Sequence, residues 1–84
     1  MSSEYEITET LDVQGLNCPM PVVKTKQTID GLGNGQVLEV VATDPGSMND
    51  IAGWADTTDG VALLEQGQTE MDGETVYTHY VRVE

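Results

Sequence analysis

Apolar and polar residues alternate along the first part of the chain. From Ile7 to Val13, Ile7, Glu9, Leu11 and Val13 fall on one side and Thr8, Thr10 and Asp12 on the other, which predicts a half-buried strand. Gly15 breaks the run and frees the backbone to turn. The interval then lengthens. Val22, Thr25, Ile29 and Leu32 recur at helical spacing and predict a helix with one core-facing stripe, Lys24 opposite it and Lys26 at its border. Pro19 suits the first helical position, where its fixed φ fits and its missing N–H is no loss. Pro21 still lies inside the first turn, and Gly31-Leu32-Gly33-Asn34-Gly35 ends the helix.

The run from Gln36 to Thr43 is rich in β-branched residues and carries one charge, as an interior strand does. Asp44-Pro45-Gly46-Ser47 opens a second helix, with Asp44 or Ser47 as N-cap. Met48, Ile51, Ala52 and Ala55 then fall on one face, with Trp54 off it, and Asp59-Gly60 closes the helix. Val61 to Gln66 and Thr75 to Val83 predict two more strands. Between them Gln68 to Glu74 contains Met71-Asp72-Gly73, a turn signal, so the pair forms an antiparallel hairpin. The order is β-α-β-α-β-β. Right-handed crossovers place both helices on one face of a mixed four-stranded sheet.

Length makes residues 1–84 one domain, with 1–6 a flexible N-terminus; a chain of this size buries roughly 60–65% of its unfolded surface. Met1 to Glu6 lacks the basic and apolar regions of a signal peptide. No apolar run approaches the roughly 18–20 residues that span a bilayer. A lone cysteine makes no disulfide framework, so a reducing cytoplasm is the expected compartment.

Charge narrows the partners. Fifteen acids stand against Lys24, Lys26 and Arg82, a formal net charge of −12. Such a surface repels phosphate backbones and anionic lipid, which argues against direct nucleic-acid or membrane binding. The acids either face one basic partner or mark a halophilic proteome. Their scatter, from Glu4 and Glu9 through Asp30, Glu39, Asp50, Asp56 and Asp72 to Glu84, favours the halophile.

The inventory for chemistry is short. His79, the only histidine, is expected on a sheet surface. No spacing suggests three or four converging metal ligands, and the glycines after the first helix stand in the wrong order for a phosphate-cradling loop. Cys18 remains. A lone cysteine is commonly a small buried hydrophobe. This one, however, lies between Asn17 and Pro19 at a strand-to-helix turn, where a helix N-terminus favours the thiolate. Pro19 and Pro21 lack N–H groups, which leaves the Met20 N–H free to face the sulfur. With no second cysteine, an internal dithiol cycle is impossible. The thiolate can instead carry a persulfide, form a mixed disulfide or be oxidised to a sulfenic acid.

The residues Leu11-Asp12-x-x-Gly15-Leu16-x-Cys18-Pro19-x-Pro21-Val22-Val23-Lys24-Thr25-Lys26 resemble the signature of the TusA/SirA-like sulfur-carrier family. The resemblance continues through Gly35-x-Val37-Leu38-x-Val40, Thr43-Asp44-Pro45-Gly46-Ser47, Asp50-Ile51 and Trp54-Ala55. It implies an α/β (α+β) two-layer sandwich with strand order 1-2-4-3 and the last strand antiparallel to the others. It implies that Cys18 accepts sulfane sulfur as a persulfide from a cysteine desulfurase or rhodanese. The sulfur then passes toward tRNA thiolation, molybdenum-cofactor synthesis or sulfur oxidation. On that resemblance Asp12 and Gly15 shape the approach to the cysteine and Asp44 supports the second helix start. Lys24 and Lys26 are either a cationic neighbourhood for the thiolate or plain solvated lysines. Met20 and Trp54, if exposed, form a small apolar docking surface. The expected protein is a cytoplasmic, monomeric relay component rather than a stand-alone enzyme, with no cofactor and no metal. The alternative is a redox-sensing or regulatory adaptor.

Overall fold

A computed structural model of the chain describes residues 6–17 and 20–84. The elements run β1 (Glu9–Val13), α1 (Met20–Ile29), β2 (Val37–Ala42), α2 (Ser47–Thr57), β3 (Val61–Met71) and β4 (Glu74–Val83). The four strands form one sheet in the order β1-β2-β4-β3. β1 and β2 are parallel, and β4 runs antiparallel to both β2 and β3. Two helices and a mixed sheet of this order make an α+β fold, as expected. The flexible N-terminus expected at 1–6 lies, except for Glu6, outside the described residues.

Alternation builds the core. Along β2, Leu38, Val40 and Ala42 are fully buried and pair in register with Val81, His79 and Tyr77 of β4. Leu38, Val40, Ala42 and Val81 join Val13, Ile29 and Ile51 in one apolar cluster, with Leu11, Leu16, Val22, Trp54 and Leu63 packed around it. On the other side of β2, Glu39 accepts hydrogen bonds from Thr10 Oγ1 at 3.0 Å and from the Tyr80 hydroxyl at 2.9 Å.

Several predicted boundaries move. β1 begins at Glu9 rather than Ile7, which is exposed, although the Thr8 N–H still bonds to the Val37 carbonyl at 2.8 Å. The buried face of α1 is Pro21, Thr25 and Ile29, with Val22 only half-buried. Thr25 can occupy it because its hydroxyl donates to the Pro21 carbonyl at 2.7 Å. The N-cap of α2 is Gly46, with no side-chain cap, in place of the expected Asp44 or Ser47. β3 continues past Gln66 to Met71, because pairing with β4 carries its polar half up to the turn. There Asp72 and Gly73 take φ of 53° and 79°, the left-handed pair of a two-residue hairpin.

Candidate functional site

Parallel pairing brings the C-terminal ends of β1 and β2 side by side, with Val13 opposite Ala42. Both helices therefore start at this end of the sheet, one after each strand. The first strand-to-helix turn carries the signature stretch. Cys18 and Pro19 lie outside the described residues, and the residues on either side define the setting.

Among the described residues, three hydrogen bonds local to the segment fold it. The Gln14 N–H donates to Asp12 Oδ1 at 3.0 Å, the Leu16 N–H to the Val13 carbonyl at 3.2 Å and the Met20 N–H to the Asn17 carbonyl at 2.8 Å. The first gives Asp12 a definite part in shaping the turn, an Asx-type bond to the backbone two residues on. The third corrects an expectation: the Met20 N–H is engaged by Asn17 and does not stand free to face the sulfur. Gly15 has φ +85°, a conformation open to glycine at little steric cost. Its N–H donates across to Thr43 Oγ1 at 2.9 Å.

Exposure divides the remaining candidates. Asn17 and Met20 border the motif on the surface, Met20 being 39% exposed. Pro21 is fully buried and serves as an anchor for α1 rather than as a contact surface. Lys24 and Lys26 are both exposed, and neither is in an ion pair among the described residues. Trp54 is half-buried and does not join Met20. It lines a cleft of about 420 Å³ at the far ends of the helices, together with Lys26, Ile29, Asp30 and Asp59. Among the described residues no group of three or more His, Cys, Asp and Glu side chains could hold a metal ion.

The second strand-to-helix turn lies beside the first. Asp44 Oδ1 accepts from the Gly46 N–H at 3.0 Å and the Asp44 carbonyl from the Ser47 N–H at 2.9 Å, so Asp44 organises the approach to α2 without capping it. Ser47 is 1% exposed and sits 3.2 Å from His79 Nε2. His79 is fully buried, contrary to the expectation of a surface residue. Gln66 Nε2 donates to the Met48 carbonyl at 2.9 Å and lies 3.0 Å from His79 Nδ1. Because the Met48 carbonyl can only accept, this atom must be the amide nitrogen, and its second hydrogen goes to Nδ1. His79 therefore carries its proton on Nε2 and donates it to Ser47. Burial pushes the imidazole down to about 4, so the ring is neutral near pH 7. Sealed from solvent, Ser47 and His79 fasten the start of α2 to the sheet and offer no access to a substrate. Their sequence signal was parity: Tyr77, His79, Val81 and Val83 share the core-facing side of β4.

Relatives place this arrangement in a family. The model of the family described as sulfurtransferase TusA matches residues 9–83. A candidate sulfur carrier protein of Halobacterium salinarum is 61% identical over 82 residues, 98% of this chain and 96% of the relative. The sulfur carrier protein TusA of Allochromatium vinosum is 45% identical over 60 residues, 71% of this chain and 78% of its own. Among solved structures, a SirA-like protein of Desulfitobacterium hafniense superposes with a TM-score of 0.67 at 26% identity, covering 90% of this chain and 99% of that one.

Proposed function

The chain belongs to the TusA sulfurtransferase family, and on that premise we propose that it is a sulfur carrier whose working atom is the Cys18 sulfur. The observation that carries this reading is the chain's single cysteine, set between an exposed Asn17 and the first turn of α1, inside the family match.

The transfer needs no external oxidant. The Cys18 thiolate attacks the terminal sulfur of a donor persulfide, the donor's S–S bond breaks, and the donor cysteine leaves as a thiolate. Cys18 then holds the sulfane sulfur as Cys–S–SH. In the second step an acceptor nucleophile attacks that terminal sulfur and Cys18 leaves as the thiolate, ready for another round. A cysteine desulfurase or rhodanese suits the first step. A downstream acceptor feeding tRNA thiolation, molybdenum-cofactor synthesis or sulfur oxidation suits the second. The net charge of −12 favours a protein over RNA as the immediate acceptor. We take the site of action as the cytoplasm, the carrier as a monomer and the scattered acids as adaptation to high salt. A relative in Halobacterium salinarum at 61% identity supports the last point. Among the described residues no helix is long and apolar enough to cross a membrane.

Intact-mass spectrometry after incubation with a desulfurase and cysteine tests the proposal. Wild type should gain one reductant-labile sulfur, and Cys18→Ala none. A thiol that is readily alkylated but never loaded would favour the regulatory adaptor instead.

A further inference from the structure

We propose that the cleft between the C-terminal ends of α1 and α2 is a docking site for a basic segment of a partner protein. An arginine side chain of that segment lies on Trp54, its charge met by Asp30 and Asp59. The cleft is at the opposite end of the helices from the signature turn, so its occupancy is independent of sulfur transfer.

Backbone bonds fix the walls. After α1 the chain turns at once, the Leu32 N–H donating to the Ile29 carbonyl at 3.0 Å. After α2 the Thr58 N–H donates to the Ala55 carbonyl at 3.4 Å. Gly60 then turns with φ +92°, and its carbonyl accepts from the Glu84 N–H at 2.8 Å, which ties the turn to the end of β4. These segments enclose a hollow of about 420 Å³, within the size range of ligand clefts. Ile29, Val61 and Val83 supply apolar surface and the half-buried Trp54 an aromatic wall. A second hollow of about 400 Å³, bordered by Asp56 and Leu63, shares the turn from Thr58 to Val61 with the first. Together they give room for more than one residue of an incoming chain.

Charge names the occupant. The C-terminal end of a helix carries partial negative charge and favours a cation. Here acids gather at it instead. Asp30 follows the last residue of α1, Asp56 lies in the last turn of α2, and Asp59 stands two residues past its end. The last turn of α2 has no basic residue, and Lys26 is the one base among the described residues lining the cleft. Neither Asp30 nor Asp59 makes a side-chain hydrogen bond or ion pair among the described residues. Acids elsewhere on the surface form a solvated shell. These stand where the helix backbone disfavours them, and a cation entering the cleft relieves that repulsion. A flat, weakly hydrated guanidinium suits the lining better than an ammonium, because it stacks on an indole while its N–H groups reach carboxylates. Its alkyl stem rests on the apolar walls.

Trp54 is the only tryptophan of the chain, so its emission reports on the cleft directly. The probe is an acetylated, amidated heptapeptide with one arginine among alanines and serines, beside its citrulline counterpart, which keeps the shape and loses the charge. At fixed salt the arginine peptide should change Trp54 emission saturably and shift the Gly60 and Val61 amide resonances. The citrulline peptide should bind about tenfold more weakly. Asp30→Asn combined with Asp59→Asn should weaken arginine binding about tenfold without lowering the unfolding temperature. Asp72→Asn combined with Glu74→Gln, an equal loss of charge at the β3–β4 hairpin, should leave binding within about twofold of wild type. The proposal is overturned if the hairpin pair weakens binding as much as the cleft pair, since general acidity is then the attraction. It is overturned equally if the citrulline peptide binds as well, or if Trp54 and Gly60 do not respond. A cleft pair that unfolds at lower temperature would give these acids a place in the fold and overturn it too. Acetylarginine amide binding as tightly as the peptide would make the cleft a small-cation site, with no role for a partner chain.

Discussion

Two strand-to-helix turns stand side by side at one end of this sheet, and they are built in opposite ways. The turn after β2 is closed. Asp44 engages the backbone twice, Ser47 is buried, and Ser47 and Met48 are tied through His79 and Gln66 to the hairpin. The turn after β1 leaves Asn17 and Met20 on the surface, is shaped by local backbone bonds and is tethered through Gly15 to its neighbour. Topology makes the two positions equivalent. One satisfies its polar groups inside the protein, and the other presents them where a partner can reach.

The comparison can be broken first at His79. Replacing it with alanine leaves a cavity and strips Ser47 and Gln66 of a partner, so unfolding by urea should show a loss of about 3–5 kcal/mol. Sulfur loading by the molecules that remain folded should be unchanged. A large loading defect at wild-type stability would mean that the two turns are not separable as described.

A milder perturbation uses pH. The imidazole titrates near its ordinary 6.5 when unfolded and at about 4 when folded, so the unfolded chain binds more protons between those values. Stability is therefore complete above pH 6.5 and falls as pH drops toward 4, by about 3 kcal/mol in all. Urea titrations at half-unit pH intervals should show this slope, and His79→Gln should flatten it. A wild-type profile already flat between pH 6.5 and 5 would show that burial does not hold His79 neutral.

The smallest effect belongs to the open turn. Among the described residues a Cβ on Gly15 meets nothing within 4 Å, so Gly15→Ala carries the strain of its positive φ, about 1 kcal/mol. Its unfolding midpoint should move slightly while its thiol chemistry moves more. Reversal of that ranking would assign Gly15 to stability rather than to the site.

Much of this was legible in the residues. The elements and the single-faced helix layer followed from spacing, since Leu38, Val40 and Ala42 on a strand and Ile51 and Ala55 on a helix have one way to share a core. Ends were less legible. The stretch from Gln66 to Met71 has no apolar side, and only its pairing with β4 makes it a strand. His79 was misread because Thr78 and Tyr80 flank it with polar groups, while its burial depends on which side of β4 faces the helices. At the candidate site, the bond from the Gln14 N–H to Asp12 and the positive φ of Gly15 are backbone features that spacing alone does not reveal, and Asp44 orders the chain before α2 without capping it. The bond between the Gly15 N–H and Thr43 was not legible, because the two residues, 28 apart in sequence, meet only once β1 and β2 are in register.

The position of β4 decides the order in which the sheet can close. The last strand, Glu74–Val83, fills the middle of the sheet between β2 and β3. β2 and β3 therefore keep open edges until β4 enters between them, and the sheet closes late, through contacts distant in sequence.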